Sequence, residues 1–368
     1  MDGTDNTSND DGPPRSPSFS TWPHWGTKSY VVMPHVTPES KRIGETFQLR
    51  STDVVVLSFP KTGTTWTQNV CEQLRTGADG YNFDDIGERQ PWIEFAYDIG
   101  IDLEDEQAAN PRIFKSHQLL SAVNTGGKYL GIVRDPAATL LSWFAFQKAK
   151  GRPGYVEYAD ANEYVVHRSE LFTEGTIFGT NIWEMYAELW SARNDPAVKI
   201  LVYEALVADG PAYRNHLPLI NEFLGLKDAN DVLYSKVAHL VSRPQMVEHV
   251  DKFDDHFITN RGRELGRALR IMEPAAKVRS SSDKKSTLTI DTEDWLEDQW
   301  IERMTPLTGH LSYDEFAAAI ADLSAVEEEV VVELENGNRR SMMRRQSSVH
   351  IGQMPGLRRR RESLAPHE

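Results

Sequence analysis

A single cysteine, Cys71, stands in 368 residues. One thiol cannot build an intramolecular disulfide framework, and such sparse usage fits a reducing compartment. Long hydrophobic runs are missing too: no stretch reaches the roughly 18 or more apolar residues that a membrane span needs. The amino-terminal MDGTDNTSNDDGPPRSPSFS is acidic and polar, with no apolar core for a secretory signal. These absences point to a soluble, cytoplasmic protein. Positive charge is also in deficit, with a formal net charge of −15 at pH 7. That balance argues against general nucleic-acid binding but leaves room for a local basic site around one small anion.

Enough remains for a core, since 39 % of residues are hydrophobic and 10 % aromatic. Residues 1–26 read as a disordered leader that cannot bury enough apolar area to offset its ordering entropy. Residues 27–323 alternate strand-like and helix-like patches, which predicts one α/β domain with a central, mostly parallel sheet flanked by helices. DVVVLSF (Asp53 to Phe59) is a short β-branched run suited to a buried parallel strand. The following TWTQNVCEQL spaces Trp66, Val70 and Leu74 four apart, which makes one apolar stripe on a helix. KYLGIV and VKILVY are two further candidate core strands. Residues 324–368 turn Arg- and Ser-rich and are expected to be disordered. Within them RRQSS and RRRRES resemble sites of kinases that favour basic residues, so phosphorylation of this tail is one expectation. A merely solvated basic tail is the other.

Between the first strand and its helix lies SFPKTGTTW, Ser58 to Trp66. A strand, a tight turn with Gly63 and a helix starting near Thr64 make an anion site. The first helical N–H groups lack internal partners, and the helix dipole is positive there. Gly63 permits close backbone approach. Thr62, Thr64 and Thr65 supply hydroxyls, and Lys61 supplies a mobile charge. The Walker pattern is absent because no lysine follows the glycine. A magnesium-bound triphosphate is therefore not the natural ligand, which counts against a P-loop small-molecule kinase.

The stretch resembles the 5′-phosphosulfate loop of the cytosolic sulfotransferases, usually close to T-Y-P-K-S-G-T-T-W, differing here at Ser58, Phe59 and Thr62. Other segments resemble that family in the same order. FKSHQLL is similar to its K-T-H-L-P stretch and implies His117 as general base, with Lys115 beside it. IVRDPAATLLSWF implies Arg134 and Ser142 as ligands of a 3′-phosphate. VYEAL implies Tyr203 at adenine, and Trp66 matches the family's stacking tryptophan. PWIE and TPLTGHLSYDEF also resemble family sequence, so the likeness spans about residues 28 to 320.

Two segments depart from the pattern. VSRPQM keeps Ser242 and Met246 but has Val241 and Arg243 where the family has a threonine and a phenylalanine. KVRSSSDKKS offers Arg279 for the arginine of R-K-G-x-x-G-D-W, with serines replacing lysine and glycine. The resemblance implies a P-loop-like three-layer fold and 3′-phosphoadenylyl sulfate (PAPS) as co-substrate. It further implies sulfuryl transfer to a hydroxyl or amine of a small molecule. His117, Lys61 and Lys115 are the expected catalytic residues. Thr62, Gly63, Thr64, Thr65, Trp66, Arg134, Ser142, Tyr203, Ser242 and Arg279, with Lys61, are the expected cofactor contacts. The departures leave open a nucleotide-binding regulatory protein without turnover. No metal is expected, because no His, Cys and carboxylate cluster has ligand spacing. His239, His249 and His256 fit no motif and are expected on the surface or in loops. The loops Tyr81–Phe95 and Ala149–Val165 are expected to shape the acceptor pocket. The second, rich in tyrosine and acidic residues, suits a hydroxylated or cationic acceptor.

Overall fold

Valines at consecutive positions are what a strand covered on both faces requires, and Val54–Ser58 forms such a strand, β1, buried along its whole length. The computed structural model describes residues 28, 30, 36–151, 155–168, 180–207, 216–227, 229–267, 274–278 and 287–323. The expectations for residues 1–26 and 324–368 and for Arg279 lie outside these. Strands β2 (Ile113–Ser116), β3 (Lys128–Val133) and β4 (Val198–Val202) complete a parallel sheet in the order β2-β1-β3-β4. The expected strands are therefore present, β3 over the whole of its run, β4 one residue and β1 two residues shorter than theirs.

Side chains alternate across β1 because the strand period is two. Val55 and Leu57 enter one hydrophobic cluster, and Val54 and Val56 enter a second on the opposite face. Helices close both faces, giving the expected three layers. In chain order those that bear on the site begin with α1 (Pro38–Thr46), α2 (Thr64–Arg75), α3 (Pro136–Ala149) and α4 (Ile182–Ser191). They continue with α5 (His216–Phe223), α6 (Asp231–Leu240), α7 (His256–Glu264) and α8 (Ile290–Arg303). Leu140 of α3, Leu189 of α4 and Trp300 of α8 cover the first face. Val70 of α2, Ile220 of α5 and Val237 of α6 cover the second. Each such fully buried aliphatic side chain stabilises the fold by about 1.5–3 kcal/mol.

The predicted stripe on α2 is correct, with Val70 and Leu74 buried and Trp66 packed beside them. Cys71 is buried on the same helix, and burial pushes its thiol up to about 12. The amino-terminal ends of β1 and β2 are tied by a buried fork: Arg112 donates to Asp53 through Nε at 3.0 Å and Nη2 at 2.6 Å. Among the described residues no helix is long and apolar enough to cross a membrane. Strand order reverses around β1, so the crevice at the carboxyl ends of β1 and β3 is where such a sheet receives a ligand.

Candidate active site

The turn after β1 is held open by backbone geometry. Lys61 takes a left-handed conformation (φ 72°) and Gly63 has φ 123°. A Cβ on Gly63 would lie 2.4 Å from Cδ2 of Tyr203, so glycine is required both for the angle and for the close approach of that ring. Thr62 donates through Oγ1 to the Phe59 carbonyl at 2.7 Å, and Thr64 Oγ1 lies 2.6 Å from Ser58 Oγ. These bonds fix the loop from within. No side chain caps α2, so its first-turn N–H groups, including that of half-buried Thr65, face the crevice in the way an anion site requires.

Arg134, at the end of β3, bridges loop and sheet. Its Nη1 donates to the Lys61 carbonyl at 2.9 Å, and its guanidinium lies over the Tyr203 ring at 4.4 Å. Its Nε is buried and makes no hydrogen bond among the described residues. A phosphate meets that need, since a guanidinium presents a planar fork of donors. The Lys61 ammonium rests 4.0 Å over Phe146 of α3. Ser142 lies one turn earlier on α3 and so on the same helix face. Arg134 thus touches both Lys61 and Tyr203, Tyr203 closes on Gly63, and Ser142 shares its helix face with the Phe146 under Lys61.

Trp66 reaches the other side of the loop. Its Nε1 donates to the Val241 carbonyl at 2.9 Å, which brings half-buried Ser242 alongside. Val241 is buried in the core cluster and Arg243 is exposed. The two departures from the family pattern therefore leave the turn in position while changing what it presents.

The His117 imidazole and the second lysine stand at the end of β2, Lys115 within the strand and His117 just past it. Pro91 and Ile93 flank a bridge from Trp92 to Lys115, with Lys115 N donating to the Pro91 carbonyl and Ile93 N to the Lys115 carbonyl. The Lys115 ammonium then lies 3.8 Å over the Trp92 ring, and His117 meets the same ring edge-on at 5.1 Å. His117 Nδ1 is 2.6 Å from the Ser58 carbonyl. A carbonyl only accepts, so Nδ1 carries the proton and Nε2 is the basic nitrogen. Burial first, then the Lys115 charge, holds this imidazole well below its usual value. Burial, with Lys277 adding to it, pushes Lys115 down to about 7.

Residue roles that sequence reasoning missed lie beneath this pair. Glu94 is buried and its Oε1 accepts from His117 N at 3.0 Å, Ser116 Oγ at 2.9 Å and Gln118 Nε2 at 3.4 Å. Ser40 of α1 holds the Glu94 carbonyl from below at 3.2 Å. The PWIE motif contains both Trp92 and Glu94, so the signal was present without the partners. Asp255 and Lys277 form a buried ion pair. Both enter the electrostatics of Lys115 and His117.

The tyrosines of the second loop pack on one another: Tyr155 and Tyr164 stack at 5.0 Å, Trp143 donates to Tyr155, and Tyr164 is buried. Their rings fill the space beside α3, where burial outweighs exposure. His256 is not a plain loop histidine but the first residue of α7, within reach of three carboxylates. His249 is half-buried and stacked on Tyr81 at 4.2 Å, while His239 is exposed as expected.

A parallel α/β sheet with an anion loop at its switch point and a buried imidazole beside it defines a class of group-transfer and nucleotide-anion proteins. Within that class, residues 51–260 match the sulfotransferase domain, and the chain belongs to that family. Among curated proteins it is 28 % identical over 190 residues to an amine sulfotransferase of Oryctolagus cuniculus, covering 48 % of this chain and 58 % of that protein. It is 28 % identical over 182 residues to sulfotransferase 2A1 of Homo sapiens, covering 46 % and 59 %. The matched region thus spans less than two thirds of either relative. The fold is similar to mouse sulfotransferase SULT7A1 complexed with PAP, with TM-score 0.52, 17 % identity and coverage of 78 % of this chain and 94 % of that one. Retinol dehydratase in complex with androsterone and the inactive cofactor PAP gives TM-score 0.51, 19 % identity and coverage of 76 % and 89 %.

Proposed function

We propose that this chain transfers the sulfuryl group of PAPS to a hydroxyl or amine of a small-molecule acceptor, without a metal. The observation that carries this reading is Ser58, whose hydroxyl meets the anion loop at Thr64 while its carbonyl fixes the base His117. Anion loop and base are thereby held on one residue, as transfer from a bound anion requires. The solved neighbours named with PAP support a donor of this kind.

The residues fit that donor. The buried Arg134 Nε, the uncapped start of α2 and the Gly63 turn suit two phosphate groups, with Tyr203 and Trp66 flanking the base. Bound there, PAPS supplies an activated sulfuryl group. His117 Nε2 accepts the proton of the acceptor hydroxyl or amine, and its Nδ1 bond to Ser58 holds the tautomer. Lys115 sets a positive charge near the reacting oxygens, and Lys61 sets one on the leaving side; a flexible point charge suits that task. Phe146 and Trp92 form apolar floors for these two ammonium groups, limiting water around them. Glu94 keeps the 116–118 turn in place.

A second reading is a binding protein on the same fold without turnover. It is favoured by Val241 and Arg243, which replace the family's threonine and phenylalanine beside adenosine. Sulfur-35-labelled donor, incubated with a panel of phenols, alcohols and amines, separates the two. Label in any acceptor supports transfer. Tight binding of adenosine 3′,5′-bisphosphate without magnesium, with no labelled acceptor, favours the binder. No binding overturns both.

A further inference from the structure

The fold assembles a cluster that no local spacing announces. Asp84 and Asp85 precede the short helix Ile86–Arg89, and Asp254 and His256 stand at the start of α7. One ligand atom each from Asp85, Asp254 and His256 lies within 4.8 Å of the others. His256 Nδ1 is 2.7 Å from Asp254 Oδ1 and 3.5 Å from Asp85 Oδ2, and its Nε2 is 3.1 Å from Asp84 Oδ2.

Counting protons shows what is missing. Asp85 Oδ1 caps the short helix by accepting from Gly87 N at 2.7 Å. Its Oδ2 is directed at the imidazole, and Asp85 is fully buried, yet Oδ2 accepts no hydrogen bond among the described residues. An imidazolium has two N–H donors, and Asp254 and Asp84 take both. A buried carboxylate oxygen without a donor is costly, and three carboxylates against one imidazolium leave an excess of negative charge. The nearby Lys277 is engaged with Asp255 and does not make up the deficit.

We propose that Asp85, Asp254 and His256 form a divalent-cation site, with Asp84 at its mouth. A cation satisfies the orphaned Asp85 oxygen directly. A mixed imidazole and carboxylate set suits Zn2+, Mn2+ or Co2+ better than Mg2+, which prefers oxygen ligands. Ligand bonds of about 2.0–2.2 Å in a tetrahedron separate ligand atoms by about 3.3–3.6 Å. The 3.5 Å from Asp85 to His256 already fits, and the partly exposed Asp254 has only to swing outward. Side-chain exposure falls from 66 % at Asp84 to 22 % at His256 and 0 % at Asp85, which is an entry path. A bound ion would clamp the 84–85 segment to α7. It would also fix the left-handed Asp255 (φ 66°), which lies between two of the ligands' own residues and pairs with Lys277.

The test uses the full chain, stripped with EDTA, dialysed against micromolar Zn2+ and measured by mass spectrometry and thermal melting. The expected result is one ion per chain and a melting temperature raised by several degrees. Asp85→Asn keeps a side-chain oxygen for the Gly87 cap. It should therefore fold, with metal affinity lowered by about tenfold or more. His256→Ala should lose the ion, and His239→Ala, at an exposed position of α6, should retain it. A wild-type chain that holds no ion, or Asp85→Asn and His256→Ala chains that bind as tightly as wild type, overturns the proposal.

Discussion

His117 Nδ1 and the carbonyl oxygen of Ser58 lie 2.6 Å apart, and this contact joins the end of β2 to the end of β1. The residue that begins the anion loop thus also chooses the tautomer of the histidine. With Nδ1 protonated, Nε2 is the basic nitrogen.

Removal of that nitrogen tests the assignment. His117→Ala should lower turnover by about 10²–10⁴-fold, the usual worth of a positioned base. Affinity for adenosine 3′,5′-bisphosphate should stay within about twofold of wild type, because Arg134 and the loop are held by the Lys61 carbonyl, the Tyr203 ring and the Thr62 bond to Phe59. Single-turnover assays with labelled donor and a calorimetric titration measure the two quantities. Equal losses in both would assign His117 to structure instead.

The pH profile has a predictable shape. Burial and Lys277 bring Lys115 down to about 7, so its positive charge is lost as pH rises through that value in the ligand-free protein. His117 is held well below its usual value, so it remains a neutral base under mildly acidic conditions. The profile of kcat/KM, which reports the free enzyme, should therefore fall above about pH 7 and stay flat down through the ordinary histidine range. Lys115→Arg keeps its charge throughout and should lose the alkaline limb. An alkaline limb that persists in this variant would remove Lys115 from the role.

Gly63→Ala should damage the loop without unfolding the chain. The added Cβ falls 2.4 Å from the Tyr203 ring, and φ 123° is poorly accessible to alanine. Such strain costs on the order of 1–3 kcal/mol. Much of it should appear as lost binding, because Tyr203 must move away from Arg134. The expectation is at least about tenfold weaker adenosine 3′,5′-bisphosphate binding, read by titration, with far-ultraviolet circular dichroism unchanged. The double variant Gly63→Ala with Tyr203→Ala relieves the clash but not the backbone angle, and should recover little.

What was readable in the sequence shares one property: it is local. The valine run, the loop from Ser58 to Trp66 and the four-residue stripe of α2 each state their structure within about ten residues. The features that were not readable depend on chain crossings. Glu94 gains its role only when the PWIE segment bridges to Lys115 and places a carboxylate under the 116–118 turn. Asp85 and His256 carry no mutual spacing and meet only because α7 packs on the helix after Asp85. The tyrosines near residue 160 were legible as a composition but not as a stack, since aromatic rings bury large areas and pair when a neighbouring helix permits it.

The buried fork between Arg112 and Asp53 should behave as a stability determinant outside the site. Both side chains are essentially inaccessible, 1 % and 0 % exposed, and the guanidinium also lies 5.2 Å from the Phe114 ring. Removing one partner leaves the other charge buried without compensation, which typically costs about 3–5 kcal/mol. Replacing both by apolar groups of similar volume removes the desolvation penalty along with the attraction, so the double change is often near neutral. Arg112→Met alone should therefore lower the urea midpoint sharply, and Asp53→Leu with Arg112→Met should recover most of that loss. Urea unfolding followed by tryptophan fluorescence measures both. If the double variant were as unstable as the single one, the hydrogen bonds from Arg112 to the Leu103 and Asp105 carbonyls, rather than the ion pair, would be what holds β2 beside β1.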